Sequence, residues 1–224
     1  MLKAVLFDLD HTLYDREATL INMAPAMKQD LAIPEDIDTV ARALTIGEEQ
    51  FYLPDYSFGG SRAIYPMLCG TLTLPDFDTY NNFISNRLAE FAVPYAYVRP
   101  LLGSLRDKGL RIGMVTNGKR SMQLHKLKTL GLLDIIEQLT CPDDAGVLKP
   151  EPGIFLHCLE ALNVSPEAAI YVGDNPLDDI QGAVKAGIRS AWIRGNRSYP
   201  AWLPAPDYIL GSAAEIEGII ANLL

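Results

Sequence analysis

Ala4-Val5-Leu6-Phe7-Asp8-Leu9-Asp10-His11-Thr12 is the stretch on which the reading of this chain turns. Ala4 to Phe7 is a short apolar run without polar alternation, as in a strand covered on both faces within a parallel sheet. Asp8 and Asp10 come directly after it. Side chains two apart on an extended backbone point the same way, so both carboxylates can enter one pocket. Carboxylates that close repel each other and call for a shared proton, a metal or a cationic neighbour. Asp also ends strands and opens turns for structural reasons alone. The pair by itself leaves site and turn equally open, and the remaining sequence has to separate them.

The chain has 224 residues, enough for one large domain or one domain with a sizeable insert. Hydrophobic residues make up 49% and charged residues 21%, which are globular values. The net charge is -9 with no basic run, which argues against nucleic acid and anionic membrane surfaces as partners. Small anionic substrates remain open, because a metal ion or a single lysine reverses the field locally. Cys69, Cys141 and Cys158 form no CxxC pair and read as reduced, mostly packed thiols of a cytoplasmic protein. The N-terminus is strand-like and carries Asp8, unlike a signal peptide, and no apolar run is long enough to span a bilayer. A monomer or a homodimer is expected.

Working outward, His11 to Tyr14 reads as a turn, and from Tyr14 to Val98 the strand-like runs vanish. Glu17 to Met27, Ile37 to Phe51 and Phe77 to Phe91 carry apolar residues at helical spacing. Pro34 with Glu35 and Asp36 marks a helix start. Leu53-Pro54-Asp55 and Ser57-Phe58-Gly59-Gly60-Ser61 read as breaks, and Pro94 as a stop. Residues 14–98 are therefore expected to form an all-helical insert, with 1–13 and 99–224 as an α/β core. From Arg99 onward strands and helices alternate. Strands are expected at Ile112–Thr116, Ile135–Thr140, Ala169–Gly173, Arg189–Ile193 and Tyr208–Leu210. Helices are expected at Pro100–Asp107, Arg120–Leu130, Pro152–Leu162, Asp178–Ala186 and Ala213–Leu223, and Asn196 to Pro206 as a surface loop. Such alternation implies a parallel sheet with helices on both faces, with ligands beyond the carboxyl ends of the strands.

The residues just beyond each strand are of one kind. The first strand gives Asp8 and Asp10, the next Thr116-Asn117-Gly118, the third a loop with Lys149-Pro150, and the fourth Gly173-Asp174-Asn175 with Asp178-Asp179. Carboxylates from separated strands make a hard-oxygen site suited to Mg²⁺. A hydroxyl, backbone amides beside a glycine and one lysine suit phosphate oxygens. Taken singly, each group reads equally well as a turn, a helix cap or a solvated loop residue. Together they fit phosphoryl transfer. His11, His125 and His157 lack metal-ligand spacing.

These four stretches, in order, resemble the motifs of the haloacid dehalogenase superfamily in its phosphatase branch. Phe7-Asp8-Leu9-Asp10-His11-Thr12 resembles DxDx[TV]. Val115-Thr116-Asn117 is similar to the second motif, Lys149-Pro150-Glu151-Pro152-Gly153-Ile154-Phe155 to the third, and Gly173-Asp174 through Asp178-Asp179 to GDxxxxD. The resemblance implies a Rossmann-like α/β core and a small all-helical cap after the first motif. It implies that Asp8 is the nucleophile forming an aspartyl-phosphate, and that Asp10 is general acid and then base. It implies Mg²⁺ held by Asp8, Asp174 and the main-chain carbonyl of Asp10. Asp179 would support the metal or pair with Lys149. Thr116, Asn117 and Lys149 would hold the phosphoryl oxygens. Asp178 stands where many relatives carry Asn.

The resulting expectation is a Mg²⁺-dependent phosphatase acting on a small phosphorylated metabolite. A phosphomutase of the β-phosphoglucomutase type shares all four motifs and is the alternative. A dehalogenase or phosphonate hydrolase of this superfamily would lack the second aspartate, here Asp10. A receiver-like signalling domain would lack the insert. Substrate specificity is expected in the insert, with Arg62 and Tyr56 as candidate contacts beside the aromatic residues Phe51, Tyr52, Phe58 and Tyr65.

Overall fold

The computed structural model describes residues 1–49, 60–195 and 198–224. The chain divides into two compact units, Met1–Tyr14 with Pro94–Leu224, and Asp15–Val93.

The first unit opens with β1 (Ala4–Phe7), all four residues buried. The chain leaves it through β2 (Tyr14–Asp15). In the second unit come α1 (Arg16–Asp30), α2 (Ile37–Glu49), α3 (Gly60–Leu68) and α4 (Phe77–Arg87), the last continuing as a 3₁₀ turn over Leu88–Phe91. Helices α1 and α4 start where side chains satisfy free backbone N–H groups. Asp15 accepts from the Ala18 amide at 2.9 Å and Asp76 from the Thr79 amide at 3.0 Å. Their apolar stripes meet in one core that includes Met23, Met27, Val40, Leu44, Ile64, Leu68 and Phe83.

Helix α3 corrects the sequence reading, which treated Gly60-Ser61 as part of a break. Ile64 and Leu68 sit one turn apart and bury against the other helices. Pro66 lies inside this helix and cannot donate its backbone hydrogen bond, a cost that the packing of Ile64 and Leu68 offsets. The breaks expected at Leu53–Asp55 and Ser57–Gly59, and the end of the helix expected to reach Phe51, lie outside the described residues.

The chain returns through β3 (Val93–Pro94) to α5 (Val98–Asp107), β4 (Arg111–Val115), α6 (Arg120–Thr129) and β5 (Gln138–Thr140). Next come α7 (Pro142–Ala145), α8 (Pro152–Ala161), β6 (Ala169–Gly173), α9 (Gly182–Lys185), β7 (Arg189–Ile193), β8 (Tyr208–Leu210) and α10 (Ile216–Ile220). The sheet is Rossmann-like, with order β5-β4-β1-β6-β7-β8 and parallel pairing throughout. Parallel strands need helical crossovers, and those helices cover the sheet. Helix α8 lays Ile154, Phe155, Cys158 and Leu159 against Ala4 and Leu6 of β1, Val115 of β4 and Tyr171 of β6.

The short strands β2 and β3 fall in the stretch expected to be all-helical, and α7 was not expected at all; three further elements differ from expectation. Strand β5 starts at Gln138 rather than Ile135, because the Ile135 and Ile136 amides turn back to the Leu132 carbonyl. The helix expected from Asp178 begins instead as a wide π turn over Pro176–Gln181, in which the Ile180 amide reaches the Asn175 carbonyl at 3.2 Å. Such turns concentrate at functional sites. The final helix is a 3₁₀ turn, Ala213–Glu215, before α10. Among the described residues, no helix is long and apolar enough to cross a membrane.

Register brings the strand ends level. Phe7 is paired with Met114 on one side and Val172 on the other, so Asp8, Val115-Thr116 and Gly173-Asp174 emerge at one edge of the sheet.

Candidate active site

At that edge Asp8, Asp174 and Asp179 each place a carboxylate oxygen within 4.8 Å of the others, and all three residues are buried. The Lys149 ammonium donates to Asp8 Oδ1 at 2.6 Å and to Asp179 Oδ1 at 2.7 Å. It also lies 3.2 Å from the Tyr171 hydroxyl, which is 2.9 Å from the same Asp179 oxygen and 3.1 Å from the Val115 carbonyl. Burial pushes the Asp8 carboxyl well above its ordinary range; Lys149 opposes this, and the charges of Asp179, Asp174 and Asp10 add to it. Burial alone would weaken the Lys149 ammonium, but Asp179 and Asp8 reverse that and hold it above its ordinary value.

Local structure explains how these groups are set. The Asp8 amide donates to the Val172 carbonyl at 2.9 Å, so the nucleophile candidate still belongs to the strand ladder. The turn after it passes His11 at a φ of 61°, a left-handed conformation that bends the chain away directly after Asp10. Asp174 is fixed by Trp192, whose indole N–H donates to its carbonyl at 2.9 Å. Asn175 caps the π turn by accepting from the Leu177 and Asp178 amides, at 2.8 and 3.1 Å. That turn points Asp179 back at the sheet, where its Oδ2 accepts from the Asn175 amide at 2.9 Å. A Cβ on Gly173 would lie 2.4 Å from that Oδ2, so only glycine lets Asp179 approach.

Asn117 ties the lysine loop down. Its Nδ2 donates to the Lys149 carbonyl at 3.1 Å and its Oδ1 accepts from the Lys149 amide at 2.7 Å. The Asn117 side chain is thus committed to the lysine loop. Asp178 accepts from Asn117 Nδ2 at 3.3 Å, and burial pushes its carboxyl up to about 7. Thr116 is buried at the end of β4, with its hydroxyl accepting from the Gly118 amide at 3.2 Å.

Asp10 is turned to other partners. Both oxygens of its carboxylate lie on the Lys126 ammonium, at 2.7 and 3.0 Å, and Tyr14 donates its hydroxyl to Oδ1. Gln123 Nε2 joins Asp10 Oδ2, at 3.1 Å, to the Thr116 hydroxyl, at 2.7 Å. Lys126, Gln123, Tyr14 and Tyr171 were absent from the sequence-based site. A signal for two of them was present. Gln123, Lys126, Leu127 and Leu130 are spaced for one helical stripe, and two polar residues on an otherwise apolar stripe face something polar. Tyr171 gave no such signal, because one tyrosine in a buried strand reads as core.

In the helical unit the Arg62 guanidinium lies over the Phe77 ring, 4.5 Å from its centroid. Tyr65 packs its ring against Phe77 and Tyr80, as core. Tyr56, Phe51, Tyr52 and Phe58 lie outside the described residues.

With all three carboxylates ionised, one ammonium would leave two negative charges in a buried space, which a divalent cation would balance. Buried hard-oxygen donors with such a deficit fit Mg²⁺ by their chemistry. A parallel sheet with this collection at its carboxyl edge defines an enzyme for oxygen-rich anionic substrates. The haloacid dehalogenase-like hydrolase family model matches residues 2–187. The glyceraldehyde 3-phosphate phosphatase of Methanopyrus kandleri is 30% identical, over 100% of this chain and 99% of its own length. The N-acetylmuramic acid 6-phosphate phosphatase of Pseudomonas aeruginosa is 29% identical, over 100% of this chain and 96% of its own. The crystal structure of a HAD phosphatase from Thermococcus onnurineus superposes with a TM-score of 0.67 at 30% identity, covering 98% of both chains. The chain belongs to the haloacid dehalogenase-like hydrolases, in the phosphatase branch of that family.

Proposed function

We propose that this phosphoric monoester hydrolase is Mg²⁺-dependent, acts on a small phosphorylated metabolite and works through a phosphoaspartate on Asp8. The observation that carries the reading is the buried Asp8–Lys149–Asp179 bridge with Asp174 beside it. Asp8 would attack phosphorus while Asp10 gives a proton to the departing oxygen; Asp10 would then take a proton from the water that releases phosphate and frees Asp8. Lys149, the Thr116 hydroxyl and the Asn117 amide would hold the transferred oxygens, donors fixed in advance of the reaction. Asp8, Asp174 and Asp179, with the Asp10 carbonyl, would hold Mg²⁺. When bound, the ion would neutralise phosphoryl charge that the lone ammonium cannot balance.

The two relatives named above differ in substrate while sharing phosphate ester chemistry, which supports the general class and leaves the metabolite to experiment. Turnover should be measured against phosphorylated sugars, nucleotides and other metabolites, with and without exhaustive chelation. Activity is expected only with Mg²⁺. The melting temperature is expected to rise with Mg²⁺, equivalent to about 2.7 kcal/mol at a hundredfold excess over Kd. Full activity after chelation would rule this reading out.

Specificity is assigned to the helical unit, residues 15–93, with Arg62 and Tyr56 as its candidate contacts. A phosphoryl pocket built of Thr116, Lys149 and three aspartates recognises little beyond the phosphate, so the remainder of the substrate needs another surface. Exchanging the helical unit for that of a relative with a different substrate is expected to change KM across the panel and to leave Mg²⁺ affinity within a factor of about three, for want of new charge at the metal site. An unchanged substrate profile would remove the assignment.

A further inference from the structure

Lys126 and Gln123 hold a catalytic candidate, yet neither belongs to the reaction described above. Lys126 is only 2% exposed, and its ammonium grips both oxygens of Asp10 while lying 5.3 Å from the centre of the Tyr14 ring. Gln123 links Asp10 to Thr116 through one nitrogen. An ionised carboxylate only accepts, so Asp10 fixes which end of the Gln123 amide faces it. The consequence is an unsatisfied group: Gln123 Oε1 is buried without a partner among the described residues. Buried unsatisfied oxygens are destabilising and uncommon. Gly118 adds to the pattern, since a Cβ there would stand 2.1 Å from Gln123 Nε2. An ion pair with its lysine buried and its aspartate only partly so is also a weak source of stability, and leucine at position 126 would extend the stripe of Leu127 and Leu130. The local structure accepts three disadvantages to keep this amide and this ammonium on Asp10.

We propose that Lys126 and Gln123 are positioning residues that fix the Asp10 carboxyl relative to the phosphoryl site at Thr116. The inference rests on the reading of Asp10 as acid and base. Two oxygens held from one helix define both the place and the tilt of the carboxyl, and the Gln123 link ties that place to the group that holds phosphate. In the first step an Asp8 oxygen bonds to phosphorus and the bond from phosphorus to the leaving oxygen breaks. Asp10, ionised beside Lys126 before the reaction, first takes up a proton from solvent; it passes that proton to the leaving oxygen and returns to the carboxylate that Lys126 and Gln123 hold. A carboxyl out of place by about 1 Å loses roughly a hundredfold in such a step. The loss depends on the leaving group, because a good one departs with little help from a proton.

The test uses the full chain with Mg²⁺ and a series of substituted phenyl phosphates, from 4-nitrophenyl to unsubstituted phenyl. The quantity read is kcat/KM, which covers the steps through departure of the phenol. Asp10→Asn, Lys126→Gln and Gln123→Met are compared with the wild type. Asp10→Asn is expected to steepen the dependence on leaving group, which tests the underlying reading. Lys126→Gln and Gln123→Met are expected to steepen it in the same sense, with a loss of about 10- to 100-fold on phenyl phosphate and under about threefold on 4-nitrophenyl phosphate. A uniform loss across the series, or none, with Asp10→Asn still steep, would overturn the positioning role and leave the reading of Asp10 intact. A flat Asp10→Asn series would overturn both. If Lys126→Gln does not fold, judged by its thermal transition, Gln123→Met decides alone. A Gln123→Met chain that does not fold makes the contact structural and overturns the proposal.

Discussion

Asp8→Asn is expected to keep the fold and lose turnover by about 10⁴-fold or more, the scale on which removal of a nucleophile is felt. An amide oxygen is too poor a nucleophile to displace an alkoxide or phenolate from phosphorus. The fold should survive because Asn has nearly the shape of Asp, and the substitution removes one charge from a buried cluster in which Asp8 is already under pressure to take up a proton. Lys149 retains Asp179 at 2.7 Å. The measurements are kcat on 4-nitrophenyl phosphate, the thermal transition, and acid-stable trapping of phosphoprotein from labelled substrate. Activity near the wild-type level would take the nucleophile role away from Asp8.

Lys149→Met is expected to damage stability and catalysis together. Its ammonium is the shared partner of Asp8 and Asp179, both buried. Removing one member of a buried ion pair leaves the other uncompensated, at a cost of about 3 kcal/mol or more. Urea unfolding without Mg²⁺ should show the full loss. Adding Mg²⁺ should recover part of it, because the cation brings charge of the missing sign to the same carboxylates. Turnover should stay low with Mg²⁺ present, since the donor for a phosphoryl oxygen is gone. A variant as stable as the wild type in chelator would show that the three aspartates do not depend on this lysine.

The strand that opens the chain was legible because burial on both faces leaves a simple record. Ala4 to Phe7 has no position facing water, so it carries no polar residue, and the structure has it at the centre of the parallel sheet. Strand β6 was legible to the residue for the same reason; β7 and the edge strand β8 were also legible to the residue, as short runs rich in apolar residues, although Ile209 of β8 is exposed. Helix α3 was not. Gly60 and Pro66 carry strong local signals against a helix, and packing of Ile64 and Leu68 overrides them. The π turn at Pro176–Gln181 was missed too, because its extra residue per turn serves the placement of Asp179 and leaves no mark on the apolar spacing.

By itself the sequence determined which chemistry-bearing residues exist and at which strand ends they fall, because strand ends are marked by where apolar runs stop. Asp8, Thr116 and Asp174 stood out in that way; Lys149 and Asp179 lie in the loop and turn beyond β5 and β6, and were picked out with the help of the family resemblance. Only the tertiary structure decided who faces whom. It sends the Asn117 side chain to the Lys149 backbone, the Asp10 carboxylate to Lys126 and Gln123, and the Tyr171 hydroxyl to Asp179. Those pairings join residues from 8 to 116 positions apart. Side-chain direction at such separations is set by strand register and by the helices laid over the sheet, and neither is encoded in the local spacing of residues.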